Sequence, residues 1–314
     1  MMNKAVLITG CAGFIGSHVT DYFLANDYRV VGYDIFTYAG KESNLSKTMG
    51  HMNFTLVRGS INNTSMLENT VRQNNIEWII NLAAETHVDN SIKSCDVFLQ
   101  TNVLGTKSVL DVCMNTGAKL LHFSTDEVYG VPFGWQSFKE DASLNPKNPY
   151  SASKAAADHL IFAYANTYGL QYLMVRPSNN FGPRQHREKL LPKVIENLKN
   201  GKKIPVYGDG SQIREWTFVK ATAAATLHIL ENSKMNEIYN ITSGEFRTNI
   251  DVISLVHQTM KLIGGDYIEY VPDRLGHDFR YSINGDKLSA LGFSIPKNFE
   301  EMIKQTIEES DIDT

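Results

Sequence analysis

The feature that most constrains this chain is a short β-branched and apolar run at residues 4–9. It breaks at Gly10-Cys11-Ala12-Gly13-Phe14-Ile15-Gly16 and continues with helical spacing through Val19, Phe23 and Leu24. Strand, glycine turn and helix in that order open a dinucleotide-binding βαβ unit. The turn needs backbone angles that other residues avoid, and a side chain there would hold a pyrophosphate away from the N–H groups of the helix N-terminus. Taken alone, the glycine spacing fits a plain tight turn almost as well. The context strengthens it, because a second apolar run at 29–33 ends in Asp34, where a carboxylate meets adenosine ribose hydroxyls and repels a 2′-phosphate. NAD is therefore favoured over NADP.

The alternation then repeats, with strands expected at 54–57, 78–82 and 119–123 and helices at 64–74 and 96–116. Such a pattern predicts an α/β fold, a Rossmann-like doubly wound parallel sheet with ligands at the carboxyl ends of its strands. Those ends carry Leu82-Ala83-Ala84-Glu85-Thr86-His87-Val88-Asp89 and Ser124-Thr125-Asp126-Glu127. Small Ala83 and Ala84 let the backbone approach a cofactor ribose, and Thr86 is expected near a substrate. His87 reads equally as a hydrogen-bonded loop residue or as a chemical group. Tyr150 and Lys154 lie four apart at the start of a helix, so both project from one face. A phenol is a poor base at its usual pKa of about 10, but a neighbouring ammonium and a positive nicotinamide ring favour its ionised form.

Length and composition set the frame. The chain has 314 residues, enough for two lobes, and a net charge of −4 that gives no reason to expect nucleic acid or an acidic membrane as partner. Cys11, Cys95 and Cys113 show neither pairing nor metal-ligand spacing, so no metal site is expected and reduced thiols in a cytoplasmic setting are. No run approaches the roughly 18 apolar residues of a membrane helix.

Together the glycine turn, Asp34, the Ser124-Thr125 strand end and the Tyr150-Lys154 pair resemble the extended short-chain dehydrogenase/reductases, over nearly the whole chain. Within them, Ser124-Thr125-Asp126-Glu127-Val128-Tyr129-Gly130 resembles the nucleoside-diphosphate-glucose 4,6-dehydratases, which act on dTDP-glucose or UDP-glucose. Removing water from a 4-keto sugar needs a base for the C5 proton and an acid for the 6-hydroxyl, which two adjacent carboxyls supply if one keeps its proton. Spacing alone allows either assignment. The resemblance implies that Tyr150, helped by Thr125, takes the 4-hydroxyl proton as hydride leaves C4, that Glu127 is the base and Asp126 the acid, and that NAD stays tightly bound and is regenerated each turnover.

The resemblance also implies cofactor contacts at Gly10, Gly13, Phe14, Ile15, Gly16, Asp34, Ile35, Thr37, Ser60, Ile61, Leu82, Ala83, Ala84, Thr101, Tyr150, Lys154 and Asn180. It implies substrate contacts at Thr86, His87, Thr125, Asn179, Lys189, Leu190, Pro205, Tyr207, Arg214, Asn249, Arg274 and His277. Guanidinium groups suit a diphosphate, which singles out Arg214 and Arg274; Asp278, Arg280 and Tyr281 read as structural. Ser60 and Leu275 depart from the family, where Asp and Pro are usual.

The turn-rich stretch 177–183 marks a change of lobe, so residues 1–178 are expected as the NAD-binding domain and 179–314 as a smaller C-terminal substrate-binding lobe. Strands at 214–219 and 237–241 return parts of 214–245 to the main sheet, and a last helix spans 298–309. The family suggests a homodimer through the helices 96–116 and 151–168. Rival readings are a sugar-nucleotide 4-epimerase or UDP-glucuronate decarboxylase on the same scaffold, and a non-catalytic NAD-binding sensor. The Asp126-Glu127 pair argues against the first two and the intact Tyr150 and Lys154 against the third.

Overall fold

The strand β1 (Ala5–Thr9) is buried at every position, which explains why it reads as a continuous apolar run and not as an alternating one. Val6 and Ile8 pack with Val19 and Phe23 of the helix Phe14–Ala25, while Leu7 packs on the opposite face with Leu67, Val109 and Leu110. This computed structural model describes residues 4–272 and 280–310. Next along the chain come β2 (Arg29–Asp34), β3 (Phe54–Arg58), β4 (Trp78–Asn81), β5 (Lys119–Phe123) and β6 (Tyr172–Pro177). With β10 (Glu237–Ile241) they form a seven-stranded sheet in the order β10-β6-β5-β4-β1-β2-β3, every neighbouring pair parallel. Chain direction across the sheet reverses between β1 and β4, and the crevice left at their carboxyl ends is where such sheets bind ligands.

Among the described residues, five short strands lie outside this sheet. β7 (Asn179–Phe181), β9 (Ile213–Phe218) and β11 (Phe246–Thr248) form a three-stranded sheet, and β8 (Ile204–Tyr207) pairs with β12 (Ile268–Val271). The helices Leu190–Lys199, Asn249–Thr259 and Phe299–Ser310 cover them over a core of Phe181, Val194, Trp216, Phe218, Val252 and Ile303. Of the two later strands expected in the main sheet, β10 joins it beside β6 and β9 does not. β9 turns its aromatic residues the other way, Trp216 and Phe218 packing against Phe181. The helix Val219–Asn232 between them returns to the main sheet, against Phe14–Ala25.

The helix expected over 96–116 is interrupted by wide π-helical turns at Leu99–Gly105, after which Thr106–Thr116 is regular. Asn102, within these turns, is buried. Its side-chain amide accepts from the Glu85 N–H at 2.8 Å and donates to the Glu85 carbonyl at 3.0 Å and to Ser153 at 2.9 Å. A single buried side chain thus ties the loop after β4 to the helix that carries Tyr150.

Candidate active site

The glycine turn is as tight as its composition predicts. Gly10 has φ +68°, and a Cβ on Gly16 would lie 2.0 Å from the Gly10 carbonyl oxygen. One on Gly10 would meet the Ala83 nitrogen at 2.8 Å. Asp34, at the end of β2, accepts from the N–H of Ala12 at 2.9 Å and of Phe36 at 2.7 Å, so it also shapes the turn. Gly10, Gly13, Phe14, Ile15 and Gly16 line a cleft of about 280 Å³ whose far wall is Leu82, Ala84, Thr125, Asp126, Tyr150, Lys154 and Asn180. A bare-backbone cradle of this shape fits a dinucleotide pyrophosphate. Gly16→Ala forces backbone against backbone, so the purified variant is expected to lose retained dinucleotide, with affinity reduced at least about tenfold, as read by titration and by thermal unfolding with and without NAD.

Beyond β5 the chain enters a single 3₁₀ turn, Asp126–Tyr129, capped by Thr125. The Thr125 hydroxyl accepts from the Glu127 N–H at 3.3 Å and donates to Asp126 Oδ1 at 3.1 Å. Asp126 is 4 % exposed, and its Oδ2 has no protein partner. Burial, then the negative charges of Glu127 and Glu215, push its carboxyl well above the usual range. Glu215, also buried, is itself pushed up to about 7 by burial. Glu127 accepts from Asn148 Nδ2 at 3.1 Å. Asn148 also caps the helix Pro149–Tyr168, taking the Ser151 N–H at 2.8 Å, so one residue fixes both Glu127 and the helix end that presents Tyr150.

Tyr150 and Lys154 are both buried on that helix, but the lysine does not act on the phenol as expected. Its Nζ donates to the Phe123 carbonyl at 2.6 Å, and burial lowers it to about 8 against the opposing pull of Asp158. In the chain alone, burial and the charge of Glu127 push the Tyr150 phenol up, while a hydrogen bond from Thr125 acts in the other direction. Helical spacing put the two residues on one face; the strand end beneath took the ammonium. Below them Asp158 accepts from Ser124 at 2.9 Å and from Arg176 at 2.9 Å, a buried polar anchor for the strand end.

A second cleft of about 250 Å³ adjoins the first and shares Glu127, Asn179, Asn180, Gln185, Glu188 and Lys189 with it. It gathers His87, Leu190, Pro205, Tyr207, Arg214 and Asn249 from five separate stretches of sequence. Thr86 lines the first cleft. The side-chain oxygens of Asn179, Asn180 and Gln185 are buried with no protein partner, as is Asp126 Oδ2, and all four line these clefts. Unpaired buried acceptors of this kind mark a polar ligand's place. His87 accepts from the Asn90 N–H and sits 3.3 Å from Glu188 Oε2, a tied loop residue at the cleft edge.

Not every expected contact lines the clefts. Asp34, Ile35, Thr37, Ser60, Ile61, Ala83 and Thr101 lie outside both linings. Ile61 packs where a Cβ on Gly105 would touch it, and Ala83 donates its N–H to Thr9 at 3.2 Å. Arg274 and His277 lie outside the described residues. Sequence reasoning missed Asn148, Gln185, Glu188 and Trp216, and it took Tyr281, a lining residue 4.8 Å from the Arg214 guanidinium, as structural. Only Asn148 left a signal, as an Asn-Pro helix start two residues before Tyr150. Arg280 stacks between Trp135 and Phe246, the structural role expected of it.

Residues 6–242 match the family described as NAD dependent epimerase/dehydratase. The chain is 43 % identical over 307 residues to a low-salt glycan biosynthesis protein of Haloferax volcanii, covering 96 % of this chain and 97 % of the relative. It is 37 % identical over 331 residues to the dTDP-glucose 4,6-dehydratase of Haemophilus influenzae, covering 98 % and 97 %. Among solved structures, the dTDP-glucose 4,6-dehydratase DesIV of Streptomyces venezuelae, crystallised with NAD, superposes with a TM-score of 0.94 at 36 % identity, covering 98 % and 97 %.

Proposed function

Since the chain belongs to the NAD dependent epimerase/dehydratase family, we propose that it removes water from a nucleoside-diphosphate-glucose to give the 4-keto-6-deoxy sugar nucleotide. The observation that carries this reading is the carboxyl pair Asp126-Glu127 at the end of β5, in one cleft with Tyr150. Bound NAD supplies an electron acceptor that returns the pair of electrons within the same turnover. Tyr150, hydrogen-bonded to Thr125, takes the proton from the sugar 4-hydroxyl. The ketone formed at C4 acidifies C5, and Glu127, held by Asn148, removes that proton. Asp126 hands its own proton to the 6-hydroxyl, which leaves as water. The acid role is supported by its burial beside Glu127 and Glu215, which pushes its carboxyl well above the usual range. Glu127 then returns its proton to C5.

A 4-epimerase on this scaffold has no leaving hydroxyl to protonate, so a buried carboxyl beside Glu127, pushed above its usual range, favours dehydration. Asn179, Lys189, Tyr207, Arg214 and Asn249 line the proposed sugar-nucleotide cleft, with Arg214 the candidate partner for the diphosphate. Exposed Val97, Leu99, Leu104 and Met114 on the 96–116 segment support a homodimer joined there. Division into a cofactor unit, residues 1–178 rejoined by parts of 214–245, and a substrate lobe is supported by the three sheets. No helix among the described residues is long and apolar enough to cross a membrane, and three unpaired cysteines support a reducing, cytoplasmic setting.

Mass spectrometry of the product after incubation with dTDP-glucose and UDP-glucose in parallel, without added reductant, tests the reading. Loss of one water from either is expected, and the faster substrate names the nucleotide. Unchanged mass with an epimer seen by chromatography would overturn it.

A further inference from the structure

Segment 183–189 leaves β7 in the second lobe and crosses to the first before the helix Leu190–Lys199 begins. Its Gln185, His186, Glu188 and Lys189 line the same cleft as Gly10, Gly13 and Gly16. A dinucleotide held on the glycine turn therefore lies between that turn and this segment. None of the segment's contacts with the first lobe takes part in the chemistry proposed above.

Those contacts fall on the elements that build the pyrophosphate cradle. The Pro183 carbonyl accepts from His18 Nε2 at 3.0 Å. The Arg184 guanidinium donates to Asp21 Oδ2 and, at 3.0 Å, to the Asn44 carbonyl. His18 and Asp21 belong to the helix Phe14–Ala25, which starts at the cradle itself. Asn44 in turn donates its side-chain amide to the Ala12 carbonyl, inside the glycine turn, at 2.8 Å. Arg184 sits at φ +65°, a conformation that residues with side chains disfavour, and its guanidinium bonds offset that strain. Further along, Glu188 lies 3.3 Å from His87 Nε2, and the Lys189 ammonium donates to the Thr86 carbonyl at 3.4 Å. Both ends of the segment are thus fastened to the first lobe, one beside the cradle and one on the loop after β4.

We propose that 183–189 is a strap that retains NAD, and that the Arg184–Asp21 pair is the bolt that keeps it shut. Lifting the strap separates one guanidinium from a carboxylate and a carbonyl together, so the pair governs how often the cleft opens. Retention serves the reaction proposed above, because the electrons taken from C4 return to the same sugar. Loss of the reduced cofactor between the two transfers would strand a sugar oxidised at C4. The strap itself does not rest on that reading, since release of NAD is followed with no sugar nucleotide present.

Asp21→Ala, Arg184→Ala and the double variant supply the test. Neither side chain lines either cleft, and that of Asp21 is 27 % exposed on its helix, so its truncation spares the core. Release is read by exchange of bound NAD against isotopically labelled NAD, with rapid gel filtration and mass spectrometry. Affinity is read by calorimetric titration of dinucleotide-free protein. An unbolted strap speeds entry as well as exit. Each single variant is therefore expected to release NAD at least about tenfold faster than the unmodified chain, with affinity changed less than about threefold. The double variant should match Arg184→Ala, because both changes remove the same bond. Turnover with NAD in excess should stay within about threefold of the unmodified chain. Unchanged release in both single variants would overturn the strap. Affinity falling in step with faster release would also overturn it, leaving the pair as a support of the binding site and not a gate. Missing dehydration with faster release would overturn the dehydratase reading and leave the strap standing.

Discussion

Replacing Tyr150 with phenylalanine is expected to lower turnover by about 10³-fold while leaving NAD binding intact, within the 10²–10⁴ range of a lost general base. The separation of the two effects follows from where the ring sits. Its edge-to-face contact with Phe98, centroids 6.4 Å apart, needs only the aromatic ring, and so does its place in the cleft wall. The phenol oxygen alone meets Thr125. Turnover by spectrophotometry and bound dinucleotide after denaturing release are the two readouts. Activity within tenfold of the unmodified chain would remove Tyr150 from the chemistry, and loss of NAD together with activity would mean the ring is structural.

Glu127→Gln and Asp126→Asn are expected to stop the reaction at different points. Glu127→Gln preserves size and can still accept from Asn148, yet cannot remove a proton. Product should fall by about 10³-fold, with no exchange of the C5 hydrogen in D₂O. Asp126→Asn should instead keep C5 exchange while loss of water slows by about 10²-fold or more, because the acid is gone and the base remains. Proton NMR of the recovered sugar nucleotide reads both. If C5 exchange survives in Glu127→Gln and disappears in Asp126→Asn, the acid and base roles are reversed.

The difference between the two carboxyls is the clearest case of what sequence could not supply. Adjacent in the chain and equal in type, they allow either assignment from spacing. Their environments separate them. Asp126 turns into the protein beside Glu215, which follows it by nearly ninety positions, while Glu127 is held by Asn148 at the cleft wall. The same holds for Tyr150 and Lys154. Helical periodicity correctly put both on one face, but the Phe123 carbonyl, on a different element, decided where the ammonium points.

What the sequence determined by itself was the local geometry and its order. Gly10 and Gly16 fix the turn, because no other residue fits a backbone that close to its neighbours. The apolar runs of the inner strands and the intervening helices fix the parallel sheet, since strands buried on both faces require helices on both sides. The place of Ser124-Thr125-Asp126-Glu127 at a strand end follows from that alternation. The tertiary structure alone decided what lies across the cleft. Gln185, Glu188 and Tyr281 come from stretches without motif or period, Trp216 comes from a strand expected in the main sheet, and that strand, β9, leaves it because its aromatic residues find a core in the second lobe. Periodicity reports which face of an element is buried. It says nothing of which distant element covers that face, and here that choice sets the burial and charge on which the chemistry depends.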